Sequence, residues 1–381
     1  MLYRTLGQTG ESVSILGLGC MRLPILDEDP AHIDEAAATR IIHHAIDHGI
    51  NYIDTAYPYH EGESEPFLAR ALQGGYRKRV NLTTKMPSWL IDSRQDMDDY
   101  LNEQLERLDT DHIDFYLIHT LNRDYWPKLT RLGLFDFLNQ ARQDGRIRYT
   151  GFSFHDEVGL FKQIVDAYPW DICQIQYNYL DTEYQAGREG LLYAAQKGLG
   201  VVIMEPLRGG CLAEMVPDDI RQVWNKSQNK RSPAEWGLQF LWDQPQISTV
   251  LSGMSTMGQL QENIETSEQG YPNSLSEQER SLIAEVSELY RTKLKVNCTG
   301  CHYCLPCPAG VNIPLVFKYL NNAMMFNNLQ KARKMYADHV GNDRKASNCI
   351  DCGRCIEHCP QDIPITEMLD EVVRLLEDND R

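Results

Sequence analysis

Basic residues and long apolar runs are both scarce in this sequence. Lysine and arginine number 37 against 54 aspartate and glutamate, which gives the 381 residues a formal net charge of −17. Because a negative field repels nucleic acid and anionic membrane surfaces, we expect neither as a partner. No run of 18 apolar residues is present, and the opening Met1-Leu2-Tyr3-Arg4 lacks the basic and then apolar layout of a secretory signal. These absences favour a cytoplasmic protein.

The order of elements predicts a barrel. From residue 12 to residue 254, short β-branched or apolar runs alternate with segments of helical periodicity such as 35–48, 94–108 and 184–197. We count eight such runs, at 12–17, 51–54, 80–84, 113–118, 148–152, 172–176, 201–204 and 249–251. Eight strand-helix units with right-handed crossovers favour a closed (β/α)8 TIM barrel over an open sheet. No Gly-x-Gly-x-x-Gly fingerprint of a doubly wound dinucleotide-binding sheet follows a strand.

The distribution of cysteine indicates a second domain. Eight of the 11 cysteines lie between Cys298 and Cys359, so the composition changes near residue 295. Residues 275–295 have the periodicity of a helix that closes the barrel. We therefore predict a barrel over residues 1–290 and a small second domain over residues 291–381.

Four ionisable residues follow strands at the end of the barrel where its loops collect. Asp54 ends the second run, Tyr59 lies five residues further on, Lys85 ends the third run and His119 ends the fourth. A lysine beside an aspartate can stay charged when buried, and its charge lowers the pKa of a neighbouring tyrosine. A histidine there can hydrogen-bond a substrate carbonyl oxygen. Tyr57 and His60 compete with Tyr59 for the role of proton donor, and the spacing from Asp54 favours Tyr59.

Residues 1–290 resemble the aldo/keto reductase family. The landmarks are Tyr3-Arg4-Thr5-Leu6-Gly7, Thr9-Gly10, Gly17-Leu18-Gly19, Ile53-Asp54-Thr55-Ala56, Tyr59, Thr84-Lys85 and Ile118-His119. The resemblance implies a (β/α)8 barrel that reduces carbonyls with a nicotinamide cofactor. It gives Tyr59 the role of proton donor, Lys85 and Asp54 that of tuning it, and His119 that of orienting the carbonyl.

The same resemblance implies a cofactor-binding set. It comprises Gly19, Cys20, Met21, Ser153, Gln174, Met204, Arg208, Glu262 and Asn263. In it, Ser153 and Gln174 hold the nicotinamide carboxamide, and Glu262 and Asn263 hold the adenine. Arg208 and the glycines that follow it take a phosphate, for which a simple tight turn is the alternative.

Three departures leave the choice between NADP and NAD open. Phe154 stands where many relatives have an asparagine that binds the carboxamide, and Met204 stands where an aromatic ring often stacks on the nicotinamide. Gln259 replaces an arginine that is common at the 2′-phosphate.

The tail carries two tight runs of four cysteines, each followed by proline. They are Cys298, Cys301, Cys304 and Cys307, and then Cys349, Cys352, Cys355 and Cys359. This spacing is typical of [4Fe-4S] clusters, whereas zinc ribbons, the alternative, split two pairs by a longer loop. By analogy with bacterial ferredoxins, the last cysteine of each run ligates the other cluster, although the first run is one residue short. Helical patterning at 314–325 and 328–337 favours a mainly α-helical ferredoxin-like domain.

These features predict an iron-sulfur aldo/keto reductase. We expect it to transfer hydride between NAD(P)H and a small carbonyl or alcohol, and to exchange electrons through two [4Fe-4S] clusters with a ferredoxin or another iron-sulfur partner, in a direction that the sequence leaves open. Because a hydride carries two electrons and each cluster one, such coupling needs a flavin, for which the sequence has no recognisable motif. The alternative is a redox-sensing nucleotide-binding protein with regulatory or structural clusters.

Overall fold

The computed structural model describes residues 1–298, 300, 303–359 and 361–377. The chain divides into two compact units. The first contains Met1–Gly209 and Arg231–Glu277, and the second contains Gly210–Lys230 and the chain from Gln278 onward. The domain boundary at residue 290 stays a prediction. Among the described residues, no helix combines the length and the apolar character needed to cross a bilayer.

The first unit is built on a closed parallel barrel. The strands in chain order are β1 (Tyr3–Thr5), β2 (Ser12–Ser14), β3 (Leu16–Gly19), β4 (Tyr52–Asp54), β5 (Asn81–Met86), β6 (Ile113–Leu121), β7 (Ile147–Phe154), β8 (Ile172–Gln176), β9 (Gly200–Met204) and β10 (Ile247–Ser252). Strands β3 to β10 pair in sequence order, and β10 closes the barrel against β3. The predicted TIM barrel is thus confirmed.

Helices follow the barrel strands. They are α1 (Glu35–Asp47), α2 (Ser64–Ala71), α3 (Arg94–Arg107), α4 (Tyr125–Arg131), α5 (Leu134–Gln143), α6 (Val158–Ala167), α7 (Gly187–Gln196), α8 (Cys211–Glu214), α9 (Asp218–Trp224), α10 (Pro233–Trp242) and α11 (Met257–Ser267). Local sequence starts several of them, since Ser93 and Asp96 form a capping box on α3 and Thr256 and Gln259 form one on α11. The short helices α8 and α9 belong to the second unit.

The first predicted strand divides into two. Residues 12–14 form β2, which pairs antiparallel with β1, and the barrel strand β3 begins only at Leu16. The chain turns between them because the Ser14 hydroxyl donates to the carbonyl of Leu16, and the Ser14 amide donates to Asn51 Oδ1. Residues 12–17, predicted as one strand, therefore contribute to two sheets.

The second unit is helical where it is described. After α8 and α9 it contains α12 (Glu277–Thr292), α13 (Ile313–Met325), α14 (Leu329–His339), α15 (Arg354–Glu357), α16 (Ile365–Val372) and a π-helical turn (Val373–Glu377). Its core is a separate cluster of buried apolar side chains that includes Val316, Phe317, Leu320, Leu369 and Val372. No strand occurs among the described residues of this unit, and the predicted α-helical character of the tail is confirmed.

Candidate active site

Strained backbone gathers at the carboxyl ends of the barrel strands. Eight residues other than glycine adopt positive φ in this region, namely Asp27, Glu28, His60, Glu61, Thr120, Gln185, Glu205 and Arg208. Each lies in a barrel strand or in the loop after one, on the face where TIM-barrel enzymes place their chemistry. Such conformations persist only where the surrounding structure enforces them, and they cluster at functional sites.

Lys85 holds three groups together at this face. Its side chain is 1% exposed, and its Nζ donates to Asp54 Oδ1 at 2.7 Å, to the carbonyl oxygen of Thr55 at 2.7 Å and to the Tyr59 hydroxyl at 3.4 Å. An ammonium group has three protons, so each of them has an acceptor. Strand β4 pairs with β5 with Asp54 opposite Thr83, so Lys85 lies two residues further along the neighbouring strand and its side chain reaches Asp54. The structure thus assembles three of the four predicted residues.

The charges of the site act in opposite directions. Burial disfavours the charged form of Lys85, but the attraction of Asp54 and the hydrogen bonds outweigh it, so the pKa of Lys85 lies above its ordinary value. Burial raises the pKa of Tyr59, and the Lys85 ammonium offsets only part of that rise. The Lys85 charge lowers the pKa of Tyr59, as expected from the sequence. Desolvation outweighs this effect, so the pKa of Tyr59 lies above its ordinary value.

His119 faces the same space from β6. Its ring lies 6.2 Å from the Tyr59 ring, between centroids. The pairing of β6 with β7 is irregular between Ile118 and Leu121, and the Ser88 hydroxyl donates to the His119 carbonyl oxygen at 2.5 Å. Burial, reinforced by the Lys85 charge, lowers the pKa of His119 well below its ordinary value. The imidazole is therefore neutral and retains an N–H that can donate to a ligand.

The two competing proton donors are engaged elsewhere. The Tyr57 hydroxyl donates to Glu103 Oε1 at 3.1 Å. His60 Nε2 accepts from the amide of Leu23 at 3.2 Å, so that Nδ1 donates to the carbonyl oxygen of Pro30 at 2.7 Å. Both nitrogens of His60 are thus held by backbone, and the geometry favours Tyr59.

Two predicted carboxamide ligands are neighbours in the sheet. Ser153 and Gln174 are paired in register on β7 and β8. The Gln174 amide favours the ionised form of Asp54, which brings it to the site just described. Its carbonyl oxygen Oε1 is buried without a hydrogen-bond partner among the described residues. An orphaned buried acceptor is costly unless a ligand donates to it, which suits the amide N–H of a nicotinamide.

The remaining predicted cofactor residues lie around the same face. Met204 ends β9, and the Arg208 guanidinium lies 3.8 Å from Asp181 Oδ1. Asn263 Nδ2 donates to Ser252 Oγ at 3.2 Å, whereas Glu262 is exposed and accepts from the Ser232 hydroxyl.

Residues 19–21 differ in exposure and in side-chain chemistry. Gly19 ends β3, Cys20 is buried and Met21 is 55% exposed. Burial raises the pKa of Cys20 far above its ordinary value, so it is a neutral thiol beside Asp54 and Lys85.

The Gln259 side chain folds back onto the backbone at the start of its own helix instead of extending toward a phosphate. Its Oε1 accepts from the backbone amides of Ser255 at 2.9 Å and Thr256 at 3.3 Å, which completes the cap of α11. The residue that replaces the arginine of many relatives is therefore committed to its own helix.

Three contributors to the site were missed from the sequence. They are the carbonyl oxygen of Thr55, the Trp89 ring 5.2 Å from the His119 ring, and His155, which lies near enough to His119 to lower its pKa. Trp89 and His155 follow β5 and β7 closely, so their position after a barrel strand was the available signal. A backbone acceptor such as Thr55 leaves no signal in side-chain chemistry.

Cysteines of both runs meet at one cavity in the second unit. A cavity of about 720 Å³ is lined by Cys304, Cys307, Cys349, Cys352 and Cys355, and its other walls are mostly apolar. Burial raises the pKa of the Cys355 thiol, and the nearby thiols of Cys349, Cys352 and Cys307 raise it further. Thiols from both runs in one apolar cavity are what a [4Fe-4S] cluster needs, although among the described side chains no group of three already has the arrangement of a metal site.

The remaining predicted cluster ligands are Cys298, Cys301 and Cys359. Cys298 and Cys359 pack against the apolar core of the unit, and Cys301 lies outside the described residues, as does Pro360.

A parallel barrel with a buried Asp-Lys pair, a tyrosine and a histidine at its loop face is the arrangement of a barrel oxidoreductase. Residues 15–287 match the model of the aldo/keto reductase family, and residues 297–363 match that of a 4Fe-4S dicluster domain. The chain belongs to the aldo/keto reductase family and carries a 4Fe-4S dicluster domain at its carboxyl-terminal side, as the resemblance predicted.

Known relatives cover the barrel. The uncharacterized oxidoreductase YqkF of Bacillus subtilis is 27% identical over 296 residues, which are 70% of this chain and 90% of that protein. L-galactose dehydrogenase of Arabidopsis thaliana is 28% identical over 287 residues, 68% of this chain and 86% of that protein. The solved holo form of aldo-keto reductase AKR11C1 from Bacillus halodurans superposes with a TM-score of 0.64 at 27% identity, covering 75% of this chain and 96% of that one.

Proposed function

We propose that the barrel catalyses the reversible reduction of a small carbonyl compound with a nicotinamide cofactor, with Tyr59 as the proton donor. The observation that carries the proposal is the buried Lys85 ammonium, whose three donors reach Asp54, the backbone of Thr55 and Tyr59. If the pair of Asp54 and Lys85 were purely structural, the third contact, from Lys85 to the Tyr59 hydroxyl at the loop face, would not be needed.

The side chains divide the work on the carbonyl oxygen. Tyr59 gives it a proton as negative charge develops there, and the neutral His119 donates a hydrogen bond that orients it. Asp54 keeps Lys85 charged, which stabilises the phenolate that Tyr59 becomes. A nicotinamide cofactor, when bound, supplies the hydride, and Ser153 and Gln174 are the residues that would hold its carboxamide.

Substitution of Tyr59 tests this proposal. We expect Tyr59→Phe to lower kcat for aldehyde reduction about 10²- to 10⁴-fold, because the general acid is lost while the ring remains. Nicotinamide binding and iron content should stay at the level of the unmodified protein. The matched control is Tyr57→Phe, whose hydroxyl bonds Glu103. Unchanged turnover in Tyr59→Phe would refute the assignment.

For the tail we propose two [4Fe-4S] clusters that exchange electrons with a ferredoxin or another iron-sulfur partner. One would be held by Cys307, Cys349, Cys352 and Cys355, and the other by Cys298, Cys301, Cys304 and Cys359. The first set is supported by Cys349, Cys352 and Cys307, whose thiols lie near enough to Cys355 to raise its pKa, whereas the cavity is also lined by Cys304 of the second set. Clusters ligated by thiolates suit a reducing compartment, and we place the protein in the cytoplasm.

Anaerobic titration with NADH and then NADPH tests the coupling of the two reactions. Each cluster carries one electron, so splitting a hydride pair needs a flavin on this chain or on a partner. We expect the reduced-cluster signal in electron paramagnetic resonance to appear only when flavin is present. If neither nucleotide reduces the clusters even with flavin added, whereas a low-potential reductant does, the coupling fails and the tail has a sensing or structural role.

A further inference from the structure

A buried carboxylate lies on the outer side of the barrel, behind the site. Glu65, in the first turn of α2, is 0% exposed. Its Oε1 accepts from the Thr84 hydroxyl at 2.6 Å and from Gln104 Nε2 at 2.8 Å, and its Oε2 accepts from Arg107 Nε at 2.8 Å. Gln104 and Arg107 are three residues apart and share a face of α3. The reaction described above does not use any of these groups.

Gln104 links these buried side chains to the backbone of Lys85. Successive side chains of a strand point to opposite faces, so Thr84 faces the helices while Lys85 faces the interior. Gln104 Nε2 also donates to the carbonyl oxygen of Lys85 at 3.0 Å, and its Oε1 accepts from the Tyr116 hydroxyl at 2.8 Å. The amide of Gln104 is thus held at both ends, and the strand is fixed where it carries the ammonium.

Arg107 links the same side chains to the turn that carries Tyr59. The Arg107 guanidinium donates to the carbonyl oxygen of Gly62 and lies 4.7 Å from the centroid of the Tyr57 ring. Between these two contacts, His60 and Glu61 have φ of 55° and 53°. A turn with two consecutive residues in this conformation needs outside restraint, and Arg107 supplies it on both sides of Tyr59.

We propose that Glu65 is a positioning residue for the catalytic pair of Lys85 and Tyr59. Gln104 and Arg107 transmit its effect, the first to the strand and the second to the turn, so that the separation of the ammonium from the phenol depends on one buried carboxylate. We call Glu65, Gln104 and Arg107 the Glu65 clamp. This inference rests on the proposed function, because it assumes that Tyr59 donates the proton.

The chain contains a matched control for a purely structural role. Asp114 is 2% exposed and pairs with Arg77 and Arg148, each at 2.9 Å, and it accepts from the amide of Leu82. It is the second residue of β6, at the opposite end of the strand from His119. Asp114→Asn should therefore destabilise the barrel without changing the chemistry of the site.

The experiment compares Glu65→Gln with Asp114→Asn in the full chain. We expect Glu65→Gln to lower kcat about 10²-fold with little change in the KM for the nicotinamide, since small misplacement of catalytic groups costs rate rather than binding. The pH at which kcat falls on the alkaline side should rise, because Tyr59 is less influenced by the Lys85 charge. Asp114→Asn should keep both kcat and that pH.

A second variant covers the case in which Glu65→Gln does not fold. Arg107→Lys keeps a charge beside Glu65 on a partly exposed side chain but loses the planar fork that also reaches Gly62. We expect it to fold, to lower kcat and to shift the alkaline fall of kcat in the same direction.

The results separate the two hypotheses. If Tyr59→Phe retains full turnover, the proposed function is wrong. If Tyr59→Phe is inactive while Glu65→Gln, or Arg107→Lys in its place, keeps the kcat and pH profile of the unmodified protein, the positioning role is wrong and Glu65 only stabilises the fold.

Discussion

Lys85 is the side chain on which the candidate site depends most. It satisfies Asp54 and a backbone carbonyl with two of its protons and directs the third to Tyr59. Because Lys85 is fully enclosed, its charge acts on the phenol with little screening by water. His119 contributes no charge, since its pKa is well below the ordinary value. The cation at the site is therefore the lysine, and its effect should be visible in the pH dependence of the reaction.

We expect kcat for carbonyl reduction to be level through neutral pH and to fall as the pH rises through the raised pKa of Tyr59. The protonated phenol is the donor, so activity is present below that pKa and is lost above it. Lys85→Met removes the group that favours the phenolate, so the fall should move to still higher pH while kcat drops about 10²-fold. A pH series of kcat measures both effects, with the exposed Lys78→Met as control. A fall that stays at the same pH in Lys85→Met would show that a group other than Tyr59 limits the rate.

The hairpin of β1 and β2 secures the barrel at the end opposite the site. Its anchor is Arg4, whose guanidinium donates to backbone carbonyl oxygens of residues far along the chain, Trp242, Gln244, Ile247 and Gly270. These carbonyls lie at the end of α10, at the start of β10 and after α11. A single side chain thus ties the first strand to the elements that close the barrel.

Arg4→Met should lower the free energy of unfolding of the barrel by about 3 kcal/mol, because it leaves several backbone acceptors without their charged donor. The arrangement of Asp54, Lys85 and Tyr59 is at the other end of the strands, so kcat per folded molecule should not change. Denaturant unfolding followed by circular dichroism gives the stability, and Arg131→Met, an exposed arginine, is the control. Equal stability in the two variants would contradict the anchoring role.

Periodicity predicted the bounds of α1 and α3, each of which packs in a single layer of the fold. The predicted helices 35–48 and 94–108 agree with α1 and α3 to within a residue, because amphipathic spacing and the Ser93 cap are local signals. The run 12–17 misled because two short strands of different sheets follow each other with only Ile15 between them. Only the partner, β1 in one case and the barrel in the other, distinguishes them.

The whole chain joins two units of different composition. Residues 291–381 carry 12 lysines or arginines and 11 aspartates or glutamates, so the acidity of the protein belongs to the rest of the chain. Each unit has its own apolar core. Substitutions in the cysteine motifs should therefore affect iron content without unfolding the barrel.

Cysteine substitutions can decide how the eight ligands are shared. We expect Cys307→Ser to remove the same electron paramagnetic resonance signal as Cys352→Ser, along with about half of the iron, because both thiols lie close to Cys355. Cys298→Ser should remove the other signal. Cys173→Ala, a buried barrel thiol, is the control and should keep all of the iron. If Cys307→Ser instead resembles Cys298→Ser, each run of cysteines holds its own cluster.

Local patterns were enough to predict the barrel and the helical tail, a resemblance carried by short motifs gave the family, and the four candidate residues at the strand ends stay a prediction. Strand alternation, helical periodicity and cysteine spacing are all expressed within a few turns of chain, so the sequence alone carries them. The upward pKa of Tyr59 and the Glu65 clamp needed the folded molecule. Gln104 and Arg107 lie 39 and 42 positions from Glu65, and they meet it because α2 and α3, which follow the paired strands β4 and β5, pack against each other.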